Sequence, residues 1–389
     1  MISVEDALTR CLALVAPLSS ETVPLSQAAG RRMSSPAVAT RDQPPFAASA
    51  MDGYAVQGNP GPDDNFVVIG EAGAGHAFHG AVGPGQAVRI FTGAPVPQGA
   101  TRVIIQEDVV RIDERILLKE GLDTATHIRP LGQDFRAGDS LAPRRLRAND
   151  LALLAAMNIP AVQATRKPVV ALIATGDELV MPGEDPRPDQ IIASNSFALK
   201  ALVEAEGAEA RLLPIARDTE AELATVLGLA EDADLIVTIG GASVGDHDLV
   251  GKTAGLEHSF WKIAMRPGKP LMAGRLNGVP MLGLPGNPVS AIVCGHLFLL
   301  PMVRAMLGDP APAPQPRRAR LAVDLPANGI RAHYMRARLT AEDDLPGITP
   351  FDRQDSALLS ILGQADALLI RPVEAPACRA GDTVDYLPL

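Results

Sequence analysis

Apolar residues keep three different rhythms along this chain. At the start, "MISVEDALTRCLALVAPL" spaces its apolar positions as an amphipathic helix does. From about Thr40 to Asp139 the apolar residues come in short runs ("NFVVIGEAG", "QAVRIFTGAPVP", "RVIIQEDVV", "ERILLKE") separated by Gly and Pro. No long helical period intervenes, so this stretch predicts a β domain with functional loops. "NDLALLAAMNI" then has helical spacing behind a polar cap, Asn149 or Asp150, and predicts a bridging helix.

From Pro168 to about Leu307 strands and helices alternate. "VVALIATGDEL", "ARLLPIARDT", "DLIVTIGG", "HSFWKIAMRPGKPLMAGRL" and "VPMLGLPGNP" read as strands, while "SNSFALKALVEAEGA", "EAELATVLGLAEDA" and "PVSAIVCGHLFLLPMVRAMLG" read as helices. This alternation predicts a parallel sheet covered on both faces, with ligands beyond the carboxyl ends of its strands. After the proline-rich linker Asp309 to Arg318, short runs and turns predict a small β domain.

A length of 389 residues predicts two to four domains. With 47% hydrophobic and 21% charged residues the chain reads as soluble and globular, and its net charge of −10 argues against a general nucleic-acid binder. Cys11, Cys294 and Cys378 share no metal spacing and suit a reducing cytoplasm. The first residues lack the basic segment of a signal peptide, and "VSAIVCGHLFLLPMV", which contains His296 and Pro301, is expected to be a core helix rather than a membrane span.

Candidate chemistry gathers in the loops after the strands. Asp177 and Glu178 follow one strand, Asp218 the next, and Asp246 and Asp248 follow the glycine turn of "LIVTIGGASVGDHD". Asp218 and Asp246 read equally well as helix caps, but five carboxylates along one edge repel unless they share a cation, and Mg²⁺ bridges such acids to phosphates. Opposite charge follows in "WKIAMRPGKPLMAGR", with Lys262, Arg266, Lys269 and Arg275. Only six of the 35 basic residues are lysines, and two of them fall here on a loop stiffened by proline. That loop reads as either a solvated cationic face or an oxyanion site. "LGLPGNPVSA" adds a turn and a helix N-terminus near Ser290, also suited to an anion. Together these features suggest a phosphorylated ligand and metal-assisted chemistry.

"GGASVGDHD", "TGDEL", "MRPGKP", "LPGNPVSA", "PPFAASAMDGYAV", "RIFTGAPVPQGA" and "IRPLGQDFRAGD" together resemble the motifs of the molybdopterin molybdotransferase family, MoeA in bacteria and the E domain of gephyrin, in the same order. "RAHYMRARL" and "DRQDSALLSIL" match less specifically. The resemblance covers essentially the whole chain. It implies a multidomain α/β plus β fold: a parallel-sheet, MogA-like α/β domain (1–20 and 165–308), a bridging and dimerisation domain (21–38 and 140–164), a β-rich domain (39–139) and a C-terminal β-barrel-like domain (309–389).

The implied reaction inserts molybdate into adenylylated molybdopterin, releases AMP and uses Mg²⁺, in a cytoplasmic homodimer whose active site lies between the α/β domain of one subunit and the β domain of the other. Carried over by motif, Asp52, Thr92 and Asp134 are the β-domain contributors. Glu178, Asp218 and Asp248 serve the metal and pterin, while Lys262, Arg266 and Lys269 hold phosphates and molybdate. Gly240, Gly241, Ser243 and Gly245 form the ligand turn, and Pro285, Pro288 and Ser290 the adjoining wall. Arg331 or Arg336, with Ser356, reaches the oxyanion from the C-terminal domain.

Three positions depart from the family's pattern. Arg266 stands where lysine is common, Ala242 where valine is usual, and His333 where an acidic or neutral residue is ordinary. His333 reads as an exposed side chain or, alternatively, as a functional one. The adenylylating enzyme of the same pathway shares the α/β fold but not the β segments. A pterin-binding scaffold or carrier, a tungstate-using homologue, and transient contact with the adenylylating enzyme or with acceptor molybdoenzymes stay open; neither nucleic acid nor membrane is expected as a partner.

Overall fold

A computed structural model describes residues 1–241, 249–253, 255–342 and 344–389. Ala242, Ser243, Gly245, Asp246 and Asp248, singled out above, lie outside the described residues. The chain forms two compact units, one of Met1–Glu21 with Thr165–Leu389, the other of Thr22–Ala164.

The first unit is built on a six-stranded sheet. In spatial order its strands are Glu209–Leu212, Val169–Ala174, Leu235–Ile239, Val279–Leu284, Met272–Leu276 and Leu256–Trp261. The first four run parallel, with Leu172 opposite Leu212, Ala171 opposite Ile236 and Val237 opposite Leu282. Leu235–Ile239 is buried at every position, as a strand covered on both faces must be. Leu172, Val237 and Leu282 pack on one face with Leu199, Val289 and Phe298. Ile173 and Ile236 pack on the other with Leu223 and Leu227.

The parallel arrangement expected for the whole sheet stops at the fourth strand. Met272–Leu276 pairs antiparallel with Val279–Leu284, and Leu256–Trp261 pairs antiparallel with Met272–Leu276. The reason is the two-residue turn Asn277-Gly278, whose φ angles of 48° and 88° fold the chain straight back on itself. As a result, the beginning of Met272–Leu276, not its end, lies at the carboxyl edge of the parallel strands.

The apolar helix from Pro288 to Met306 is long enough to cross a membrane by length and composition, but it is mostly buried in this core. It accommodates Pro301 by widening to a π turn over Gly295–Leu299 just before it, where the proline's missing N–H would otherwise break the ladder.

The C-terminal strands close on themselves. Ala332–Thr340 pairs with Gly347–Pro350, which pairs with Arg317–Leu321, then Thr383–Pro388, then Ala367–Arg371, and Ala367–Arg371 returns to Ala332–Thr340. This five-stranded barrel encloses Ala319, Ala337, Ile348 and Leu369. Met265–Arg266 runs parallel beside its first residues, with Arg266 opposite His333.

The second unit holds another six-stranded sheet, ordered Arg102–Ile105, Gly53–Val56, Gln86–Ile90, Asn65–Ala72, Arg115–Leu118 and Val109–Ile112. A separate small core gathers Met33, Leu141, Leu146, Leu154 and Val162 around the helix Ala148–Ala156.

Candidate active site

A cleft of about 720 Å³ opens at the carboxyl edge of the parallel strands in the first unit. Its wall is made by the loops that follow those strands, including Gly176, Glu178, Asp218, Gly240, Gly241, Pro285 and Pro288. The loops are held side by side by their backbones. Thr175 N–H donates to the Ile239 carbonyl at 3.0 Å, and Gly240 N–H donates to the Leu284 carbonyl at 3.0 Å. Gly240 has φ +98°, and a Cβ there would sit 2.8 Å from the Thr175 carbonyl oxygen, so this close approach requires glycine.

Of the acids expected on this edge, Glu178 and Asp218 line the cleft. Asp177 is otherwise engaged, its Oδ1 accepting the Asp218 N–H at 3.1 Å. Two residues that the motifs did not single out tie the loops. Arg217 Nη1 donates to the carbonyls of Gly176, Asp177 and Leu179 at 3.3, 3.1 and 2.9 Å. Asn195 Nδ2 donates to the Gly286 carbonyl at 2.8 Å and fastens the "PGNP" turn to the helix Asn195–Ala205. Both act through backbone carbonyls, which leave no trace in residue type; their position beside Asp218 and at a helix start is the only signal.

The basic segment divides. Pro270 lines the cleft, and Lys269 just before it is exposed, its ammonium making no hydrogen bond or ion pair among the described residues. Lys262 lies over the Trp261 ring, 5.6 Å from its centroid, in a cation–π contact. Arg266 donates to Asn328 Oδ1 at 3.1 Å. Arg275 is carried to the opposite end of its strand, where it donates to the carbonyls of Gly278 and Leu14. The antiparallel hairpin removes it from the cluster that the sequence suggested.

In the barrel, Arg336 is fully buried, and its guanidinium is spent on Gln354 Oε1 and the carbonyls of Asp355 and Arg353. It shapes the 353–355 loop instead of meeting an anion, which corrects the expectation for it. Arg331 is half-buried with no hydrogen bond or ion pair from its guanidinium among the described residues. The Ser356 carbonyl accepts the Val289 N–H at 3.1 Å, docking this loop on the helix start, and Ala357 reaches the cleft. Ser290 is buried inside the helix's first turn rather than lining the cleft. His333, expected on the surface, is also buried. Burial, then Arg266 and the neighbouring Arg336, Arg331 and Arg371, pushes its imidazole down to about 4.

The second unit brings Asp52 and Thr92 together. Asp52 Oδ1 accepts the Thr92 N–H at 2.7 Å and its hydroxyl at 2.8 Å. These bonds hold its carboxyl below the usual range, helped by the Arg89 charge. Asp134 lies in a groove of about 560 Å³ with Gln43, Phe46, Gly93 and Arg129.

Among the described residues no three acid, histidine or cysteine side chains are close enough to hold a metal. Glu178 and Asp218 nevertheless fit Mg²⁺, which is commonly bound by one or two carboxylates and completed by phosphates of the substrate.

Three families match the chain in succession: "MoeA N-terminal region (domain I and II)" over residues 2–158, "Probable molybdopterin binding domain" over 171–305, and "MoeA C-terminal region (domain IV)" over 318–389. A protein of Nostoc sp. named molybdopterin molybdenumtransferase is 34% identical over 414 aligned positions, covering 100% of this chain and 94% of the relative. The chain belongs to the MoeA family. Molybdopterin molybdenumtransferase 2 of Mycobacterium tuberculosis is also 34% identical, over 92% of this chain and 93% of its own length. Among solved structures, the molybdopterin biosynthesis MoeA protein of Pyrococcus horikoshii superimposes with a TM-score of 0.84 at 26% identity, over 100% of both chains. The three matched regions fall on the structural parts: the cleft lies in the molybdopterin-binding region, the closed barrel is the C-terminal MoeA region, and Asp52, Thr92 and Asp134 lie in the N-terminal one.

Proposed function

We propose that this chain is a transferase of molybdenum cofactor assembly that inserts molybdate into adenylylated molybdopterin and releases AMP. The observation that carries the reading is the carboxyl-edge cleft, where Glu178 and Asp218 face a glycine turn and a helix start within a chain of the MoeA family. The cleft offers two kinds of partner to a phosphorylated ligand. The backbone N–H of Gly241, in the glycine turn at the cleft wall, suits a phosphate oxygen, and Lys269 adds an unpaired cation at the rim.

Glu178 and Asp218, with Asp248, would hold Mg²⁺, which when bound neutralises the pyrophosphate as its bond is hydrolysed. Lys269 and Arg331 carry the positive charge that molybdate needs, while Lys262 and Arg266 stiffen the same loop through Trp261 and Asn328. Asp52, kept ionised by Thr92, is an acceptor for ligand N–H groups or water. We further propose the four-domain division given above and a cytoplasmic homodimer in which Asp52, Thr92 and Asp134 complete the partner's cleft.

AMP release from purified adenylylated molybdopterin, with Mg²⁺ and with or without molybdate, tests the reading. Molybdate-dependent release that Asp248→Ala and Glu178→Gln lose is the expected result. Tight binding of the adduct with no molybdate-dependent release would instead make the chain a carrier or scaffold. Replacing molybdate with tungstate in the same assay decides the oxyanion.

A further inference from the structure

We infer that Arg217 is a positioning residue: with Asp177 it forms a two-way clasp between the loops after the first two parallel strands, and that clasp fixes how Glu178 and Asp218 face the cleft. The inference rests on the proposed role of those two acids. Arg217 is half-buried among Asp177, Glu178 and Asp218, yet it makes no ion pair with them among the described residues. Its Nη1 instead serves the carbonyls of Gly176, Asp177 and Leu179, which bracket Glu178 on both sides. In return, the Asp177 carboxylate accepts the N–H of Asp218, the residue that follows Arg217. Each loop therefore holds the backbone of the other, and the oxygens of Glu178 and Asp218 stay free to face the cleft, which both of them line. An arginine that paired with either acid would neutralise it and compete with a cation for its oxygens. Used on carbonyls, the same charge orients the acids without consuming them, much as outer partners orient metal ligands.

The test uses the full chain with Arg217→Ala, Arg217→Lys and, as a control, Arg211→Ala, whose guanidinium pairs with Glu209 and Asp232 on the surface. Hydrogen exchange reads the clasp, and Mn²⁺ titration followed by electron paramagnetic resonance reads the acids. Arg217→Ala should speed exchange at Gly176–Leu179 and at Asp218, and weaken Mn²⁺ binding about tenfold. AMP release at saturating metal should stay within about threefold, and Arg217→Lys should recover part of the loss. Unchanged exchange overturns the clasp. Faster exchange with unchanged or tighter Mn²⁺ binding, or an equal effect from Arg211→Ala, overturns its positioning role. A wild-type chain that neither binds Mn²⁺ nor releases AMP removes the functional reading and the positioning role with it, while the exchange data still decide whether the clasp exists.

Discussion

Thr92 donates twice to one oxygen of Asp52, so a single hydroxyl sets part of that acid's ionisation. The depressed carboxyl contributes stability above the ordinary aspartate value of 3.8 and loses it as pH falls through the lowered one. In Thr92→Val the hydroxyl bond is gone and the N–H bond remains. The Asp52 carboxyl should therefore titrate at higher pH than in the wild type in a carbon-detected NMR titration, and the acid limb of the pH–activity profile should move the same way. His333 also loses stability as pH falls, but because the fold favours its neutral form. Folded, it is held at about 4 against an ordinary value of 6.5, so between these values the unfolded chain binds a proton that the folded chain refuses. Stability should fall as pH drops from 6.5 to 4, read as a falling melting temperature. His333→Gln should flatten part of that slope, and His296, likewise pushed down to about 4 chiefly by burial, adds to it in the same direction. Neither effect was legible in the sequence, because the bonds of Thr92 and the burial of His333 are set by residues distant along the chain.

At the level of elements, apolar rhythm predicted most of the α/β segment, since runs such as "VVALIA" and "LIVTI" are buried almost throughout. The rhythm gives no strand direction. "LNGV" encoded the reversal, since Asn-Gly favours the positive φ angles of a two-residue turn, and that turn sends Arg275 away from the cleft. Gly278→Ala should cost about 1 kcal/mol, because φ is +88° but the space around it is open. Gly240→Ala meets both a positive φ and the Thr175 carbonyl, so it should cost on the order of 2 kcal/mol and also displace the ligand turn. Thermal melts of the two variants check the ranking, and AMP release should fall only in the second. Asp177 and Arg336 show the other limit of sequence reading. Residue type marks a charged group, but only the fold tells whether its partner is a ligand or a backbone.

On the scale of the whole molecule, the order of the motifs was legible and so was the family. The proposed sharing of the active site between subunits yields a direct test. Asp52→Ala and Glu178→Gln chains, each inactive alone, should regain roughly a quarter of wild-type activity when mixed, since half of randomly paired dimers are mixed and each holds one intact site. No recovery after verified subunit exchange would place both residues in a site within one chain. The closed C-terminal barrel has a different kind of consequence. Each of its five strands is paired on both sides, so it has no open backbone edge onto which a foreign strand could add. Removing residues 383–389 would take out one stave and bare the flanks of Arg317–Leu321 and Ala367–Arg371 together. A well-behaved module would become a template for sticking to its own kind.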